Sequence, residues 1–359
     1  MITLEELKEI NKIKSDENKF VSLYLNTDQK INSTEKIQIK LKNLLAKAEH
    51  ELSADDIKKI DYYFNKSIKN RSKSVVFFVG KNEDVWRYYE FKKPLPSSVH
   101  IENNLHITPL QKMLDEYERY GVLVLDNEKA KVFTVYLGEI EEIKDLSDYY
   151  PGKHAQGGWS QKRFQGHIED HLLKHLKHSA EVIYQIWKDK KFDRLILGGA
   201  DEIIAKLEQG LPSDIKKIVS GKFNTELFKP LEHFLNQSLE IEEQAERNKE
   251  EKIINELENN LGDGNKAVSG IRDVLNSINE KRVMRLIIQE VAEQKGYYCK
   301  ECDMLLLEKN ECPCEGENYQ VDLIDEMVQK ALSQQAEVEF VKWEDKMNKL
   351  GNIGAILRY

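Results

Sequence analysis

Short apolar runs alternate with longer charged or amphipathic stretches along almost the whole chain, and this pattern narrows the fold more than any other feature. Ser74–Val79, Gly121–Leu125, Arg194–Leu197, Val283–Gln289 and Glu337–Val341 read as strands, with helical periodicity between them. Strands alternating with helices imply the layered α/β class, each domain a mixed sheet with flanking helices. Thr3 caps an opening helix carrying Leu4, Leu7 and Ile10, and the strand Phe20–Leu25 follows. A long charged helical region is expected from about Ser33 to Ile68. Val85–Phe91 reads as the hairpin partner of Ser74–Val79. Pro94, Pro96 and Ser97–Ser98 then break the chain, and Val99–Pro109 looks like a connector.

A second block opens with strands Gly121–Leu125 and Ala130–Leu137 around the tight-turn pair Asp126–Asn127. A long helix over about Ser160–Trp187 leads into the strand Arg194–Leu197, which ends at Gly198–Gly199. A charged helix, about Ser238–Asn259, stops at Gly262-Asp263-Gly264. The last block is expected to hold helix Ala267–Asn279, strand Val283–Gln289, helix Leu323–Gln334, strand Glu337–Val341 and a final strand Ile353–Leu357. Three domains follow: an N-terminal α+β domain over 1–115, a central α/β domain over 116–264 and a C-terminal α/β domain over 265–359. A length of 359 residues agrees with two or three domains.

Hydrophobic residues at 40% against 33% charged let each domain bury a core, which argues against long disorder. No stretch approaches the ~20 uninterrupted apolar residues of a membrane helix. Met1–Ile13 mixes acidic, basic and apolar groups, unlike a secretory signal, so a cytoplasmic protein without a membrane partner is expected. Lys+Arg 54 against Asp+Glu 63 gives a net charge of −9, which excludes indiscriminate coating of DNA or RNA. A local basic patch remains compatible with that balance.

All four cysteines fall within sixteen positions: Cys299, Cys302, Cys312 and Cys314, a C-x2-C…C-x-C array. In a cytosolic chain two close pairs read as a four-thiolate knuckle, each pair lying on a tight turn that aims two sulfurs at one centre. Pro313 stiffens the second turn. Such a shell leaves no position for water, so the expected zinc is structural. Reduced or adventitiously oxidised thiols are the alternative.

The most informative stretch is Pro151–His178, PGKHAQGGWSQKRFQGHIEDHLLKHLKH, a glycine-containing loop running into a basic helix. Lys153, Lys162, Arg163, Lys174 and Lys177 stand against Glu169 and Asp170, a local balance of +3 within an acidic chain. His154, His167, His171, His175 and His178 add protonatable donors. Phosphate-backbone recognition needs such a patch, because acidic surroundings suppress non-specific binding while the patch releases counterions. Gly157-Gly158 removes side chains where a backbone must approach another molecule closely. His167, His171, His175 and His178 share a helical face. His167-Ile-Glu-Asp-His171 superficially resembles a zinc-protease signature, but Ile168 occupies the slot where that chemistry needs glutamate. The stripe is therefore expected to be a polar face turned to solvent or RNA.

These residues resemble the archaeal and eukaryotic class-1 peptide-chain release factors, a family that also holds the Pelota ribosome-rescue proteins. Release factors carry a lysine–histidine pair, then Gly-Gly-Gln, then a serine and an Arg-Phe pair opening a basic helix. Here Lys153-His154, Gly157-Gly158-Trp159, Ser160 and Arg163-Phe164 stand in that order and spacing. The likeness extends to Tyr120–Asp126, Arg194–Asp201, the cysteine knuckle and the ending Gly351–Tyr359, covering the chain from about residue 117 onward. It implies a three-domain release-factor-like architecture.

Two departures matter. Trp159 stands at the family's catalytic glutamine, whose main-chain N–H and side chain are thought to serve peptidyl-tRNA hydrolysis. An indole keeps the N–H but lacks the amide, and it could stack on a base for about 1–3 kcal/mol. Gln161, two places later, is the remaining candidate for positioning water. Secondly, Asn11-Lys12-Ile13-Lys14-Ser15 only distantly echoes the family's codon-reading loop, with Lys12 inserted.

The resemblance thus implies a factor that enters the ribosomal A site, in rescue or hibernation, with Gly157–Gln161 near the transfer-RNA acceptor end and ribosomal RNA against the basic helix. A codon-independent peptidyl-tRNA hydrolase that frees stalled chains is the alternative. It further implies that the C-terminal block contacts a translational GTPase.

Overall fold

In the computed structural model of the chain, residues 2–15, 19–80, 85–147, 161–262, 266–314 and 316–359 are described, with the backbone alone at 142, 147, 161–168 and 344. Thr3 caps α1 (Leu4–Asn11), its hydroxyl accepting from the Glu6 N–H at 3.1 Å. After β1 (Phe20–Asn26), the expected helical region divides into α2 (Thr34–Lys47) and α3 (Ala54–Lys69). The break has a local cause. The Asp56 N–H donates to Ser53 Oγ and the Ser53 N–H donates to Asp56 Oδ2, both at 3.1 Å, so two otherwise unpaired donors are satisfied reciprocally.

β2 (Ser74–Gly80), β3 (Val85–Phe91) and β4 (Ser98–Glu102) complete an antiparallel sheet of order β3-β2-β1-β4. β4 corrects the reading of Val99–Pro109 as a connector, for it pairs with β1 at Leu23↔Val99 and Ser22↔His100. α2 and α3 cover one face of this sheet, packing Leu41, Leu44, Ile60 and Phe64 against Leu23, Val75 and Phe77. α4 (Thr108–Glu116) follows.

β5 (Tyr120–Leu125), β6 (Lys129–Tyr136) and β7 (Glu139–Ser147) form an antiparallel meander. Asp126 Oδ1 accepts the N–H groups of Glu128 and Lys129, at 2.8 and 2.7 Å, and so closes the expected turn. α5 (Gln161–Lys190) then crosses to β8 (Arg194–Gly198), which lies parallel to β5. α6 (Asp201–Gly210), α7 (Ser213–Lys217) and β9 (Val219–Phe223) complete a sheet of order β7-β6-β5-β8-β9. Gly199, at φ +146°, turns β8 into α6; a Cβ there would lie 2.4 Å from the Leu125 carbonyl oxygen. On one face Leu172, Leu176, Ala180 and Ile183 of α5 pack on Leu123, Leu195 and Leu197. On the other, Phe234 of α8 (Leu231–Gly262) meets Tyr120, Val122, Phe133 and Phe223.

The last block comprises β10 (Ala267–Ser269), α9 (Ile271–Asn279), β11 (Val283–Gln289), β12 (Lys295–Cys299), β13 (Met304–Leu306), β14 (Asn318–Asp322), α10 (Leu323–Ser333), β15 (Glu337–Val341), α11 (Glu344–Lys349) and β16 (Ile353–Leu357). The helix expected from Ala267 starts only at Ile271, because Ala267–Ser269 pairs with β16 and Gly270, at φ +82°, makes the corner. The main sheet has the order β10-β16-β11-β15, and the cysteine-bearing lobe is a separate sheet of order β13-β12-β14.

By packing, Tyr117–Asn248 forms one compact unit, and Met1–Glu116 with Lys249–Tyr359 forms the other. In the latter, Asn11 is buried and donates from Nδ2 to the Gln329 carbonyl at 2.9 Å, a packing role for the first residue of the supposed codon-reading echo. Among the described residues no helix is long and apolar enough to cross a membrane.

Candidate functional site

α5 carries the basic stretch singled out in the sequence. Lys153, His154, Gly157, Gly158 and Trp159 lie outside the described residues. Gln161, Lys162, Arg163 and His167 belong to the helix by their backbone, with Gln161 its first residue; their side chains lie outside the description too. From Glu169 onward the helix has two faces. Leu172, Leu176, Ser179, Ala180 and Ile183 recur at three- and four-residue spacing and are buried, while Lys174, Lys177 and His178 are exposed and His171 is half-buried. Lys177 Nζ lies 3.9 Å from Glu181 Oε1, a solvated pair that leaves the lysine accessible.

His175 requires a correction. It is 1% exposed, so the face shared by the histidines does not stay in water along its length. The stripe at i, i+4, i+8 runs slightly off the helix axis and passes into the core at Leu172 and Leu176. Between α5 and α6 a cleft of about 550 Å³ is lined by Leu172, Leu173, Leu176, Lys177 and Lys206, with Glu169 and Gln209 at its edges. Trp187 is partly buried against the cluster under this helix.

The four cysteines come together. Cys299 ends β12, Cys302 lies in the turn to β13, and Cys312 and Cys314 precede β14. Their sulfurs all lie within 4.8 Å of one another, with Cys299–Cys314 at 3.4, Cys302–Cys312 at 3.6 and Cys312–Cys314 at 3.2 Å. A disulfide would require about 2.05 Å, and all four are free thiols. Four thiolates about 2.3 Å from one zinc ion would stand roughly 3.8 Å apart, close to what is observed. Burial and the neighbouring thiols push Cys302 up to about 12, so a bare cluster resists full ionisation and a divalent cation would relieve it. The residues therefore fit zinc in a structural role. Tyr298 donates to Asp303 Oδ1 at 3.1 Å beside the cluster.

Sequence reasoning passed over a third group, His100, Glu102 and His106, whose polar atoms also lie within 4.8 Å of one another. The available signal was His100-Ile-Glu102, two polar residues on one face of a strand. The connector reading of 99–109 concealed it.

Two family models match the chain, and their ranges meet almost end to end. "Bacterial archaeo-eukaryotic release factor family 10" spans residues 106–250, and "eRF1 domain 3" spans 247–359. Peptide chain release factor subunit 1 of Archaeoglobus fulgidus is 27% identical over 316 residues, covering 79% of this chain and 76% of the relative. The same factor of Methanocaldococcus jannaschii is 24% identical, covering 98% and 96%. Among solved structures, Archaeoglobus fulgidus Pelota aligns over 99% of this chain and 92% of its own at 12% identity, with a TM-score of 0.39.

Proposed function

We propose that this chain, which belongs to the archaeo-eukaryotic release-factor and Pelota-like family, is a ribosome-binding translation factor. The observation that carries the reading is the order of the two family matches: a bacterial archaeo-eukaryotic release factor family over 106–250 followed by the release-factor third domain over 247–359. The face of α5 supports it, since Lys174, Lys177 and His178 stand in solvent opposite the buried stripe. The cations precede any contact with RNA and can steer an acidic protein toward phosphate.

On this reading the factor occupies the A site in rescue or hibernation, with Gly157-Gly158 admitting a close backbone approach near the transfer-RNA acceptor end. Trp159 offers stacking there in place of amide chemistry. Zinc held by Cys299, Cys302, Cys312 and Cys314 would fix the β12–β14 lobe. The block from residue 265 would meet a translational GTPase. The factor works in the cytoplasm, where ribosomes are.

A pelleting assay with purified ribosomes tests the reading: the protein should co-sediment, and less of it as salt rises. Failure to bind at low salt refutes it. Ribosomes loaded with labelled peptidyl-tRNA then separate binding from hydrolysis. The expected result is binding without peptide release. Release that disappears in Gly158→Ala or Gln161→Ala would establish the hydrolase instead.

A further inference from the structure

We propose that His100 and His106, stacked face to face between Glu102 on β4 and Asp325 on α10, form a proton-held clasp that fastens the N-terminal sheet to α10 and loosens at alkaline pH. The rings lie 3.5 Å apart between centroids and 7° from parallel. Tyr24 of β1 meets both edge-on, at 6.4 and 6.1 Å, and its hydroxyl donates to the His106 carbonyl at 2.5 Å. His106 is 4% exposed, and its Nδ1 lies 3.0 Å from Asp325 Oδ2. His100 Nε2 is 3.0 Å from Ser98 Oγ, and its Nδ1 is 4.0 Å from Glu102 Oε1.

Two imidazoles and a carboxylate invite a metal, but the stack argues against one. A ligating nitrogen presents its lone pair in the ring plane, and a single ion about 2.0–2.1 Å from each nitrogen cannot lie in two parallel planes this far apart. The arrangement suits protons. Two cations at stacking distance would repel strongly, so the pair holds a single charge.

That charge resides on His106. Burial alone would lower its affinity for a proton, yet the Asp325 contact and charge, with Glu102 and Asp322, outweigh burial and hold it above the ordinary range. Burial first, then the charge on His106, pushes His100 down to about 4. Burial pushes Glu102 up to about 7, and Glu326, Asp325 and Asp322 push the same way. Burial likewise raises Glu326 on α10 and Asp322, which caps that helix, while Lys14, which bridges to Asn104, offsets part of the negative charge. Asp325 is held low by His106, against its burial. Side-chain hydrogen bonds complete the contact: Asn104 Nδ2 donates to Gln329 Oε1 at 2.7 Å and to Glu326 Oε1 at 3.3 Å.

The direction follows from linkage. A raised histidine and a raised carboxyl both contribute below their folded values and lose that contribution as pH climbs through them. The depressed His100 works oppositely, losing stability as pH falls from its ordinary value toward about 4. In mildly acidic solution these offset, since His100 gives up the proton that Glu102 keeps. Above about 7 only losses remain: Glu102 ionises beside three carboxylates, and His106 then loses the charge that pairs with Asp325.

Hydrogen exchange on the full-length protein tests the clasp. After correction for intrinsic rates, amides of 98–106 and 323–333 should be about tenfold better protected near pH 6 than near pH 8.5. Glu102→Gln, which cannot ionise, should flatten the dependence. Equal protection at both pH values in the wild type, or an undiminished dependence in Glu102→Gln, overturns the proposal. Ring titration by NMR of the wild type is a second reading that needs no variant. His106 should titrate above and His100 below the ordinary value of about 6.5, and two rings titrating together at that value would also overturn it. Zinc added beyond one equivalent should leave both ring signals unmoved; a shift of both would establish a metal site instead.

Discussion

The salt dependence of ribosome binding should change in a calculable way when α5 loses its exposed lysines. Residues 151–178 carry five fixed cations, of which Lys174 and Lys177 stand in solvent on the described part of the helix. Each phosphate neutralised contributes about −0.7 to −0.9 to the slope of log affinity against log salt. Five contacts would give a slope of roughly −3.5 to −4.5. A fourfold rise in salt, from about 50 to about 200 mM, would then weaken binding by about 130- to 500-fold. Removing both lysines as Lys174→Gln with Lys177→Gln should flatten the slope by up to about 1.4 to 1.8, leaving a loss of only about 20- to 40-fold over the same range. The share of Lys177 is the smaller, because Glu181 at 3.9 Å already neutralises part of its field. Neither side chain belongs to the core cluster beneath the helix, so the fold should survive, as circular dichroism can check. Quantitative pelleting over a potassium chloride series gives both slopes. Identical slopes for wild type and variant would show that this face of α5 does not touch phosphate, and the electrostatic argument would fail even if the protein still bound ribosomes.

Purified protein should carry about one zinc per chain by elemental analysis, and Cys302→Ser or strong chelation should release it. Proteolytic cleavage should then appear within 300–317, while the β10-β16-β11-β15 sheet keeps its protection. In the other unit, Arg194 faces Glu118, Glu242 and Glu246 at 3.2, 2.5 and 2.6 Å, and burial pushes Glu242 up to about 7 despite the guanidinium. A carboxyl raised in the folded state loses its contribution as pH rises through that value, so the melting temperature of this unit should fall between about pH 6 and pH 8, and Glu242→Gln should remove the trend.

The strands were legible wherever both faces of the sheet are covered. Val75–Val79 and Val122–Leu125 are apolar throughout and fully buried, so no alternation is needed to see them. β4 was hidden for the opposite reason: Ser98, His100 and Glu102 give a half-buried strand with polar residues on one face, and preceding prolines suggested a break. The division between α2 and α3 was written in Ser53-Ala-Asp-Asp56, a capping signature overlooked within a long charged run. His175 shows the limit of counting by fours, since a strict four-residue spacing drifts around a helix of 3.6 residues per turn until it meets the core. The glycine loop was read from its resemblance to release factors, and cysteine spacing alone anticipated the sulfur cluster. The pairing of the histidine stack with Asp325 was not legible, because Asp325 lies more than two hundred positions along the chain from His100.

The helical backbone of Gln161 bears on binding against hydrolysis. Gln161 has helical backbone torsions within α5, whereas a release-factor glutamine directly follows the glycines. Two residues along a helix rotate the direction of a side chain by about 200°, so a glutamine displaced by two positions does not recover the missing one by a small adjustment. Restoring the family's order therefore has a defined consequence. If Trp159 is what separates this chain from a hydrolase, Trp159→Gln should confer measurable peptide release on a protein that binds ribosomes without it, while Trp159→Ala should weaken binding by up to the roughly 1–3 kcal/mol of one stacked base and confer none. Release by the unaltered protein that survives Trp159→Ala but not Gln161→Ala would assign the chemistry to the helix start, and the case for a binding factor would be lost.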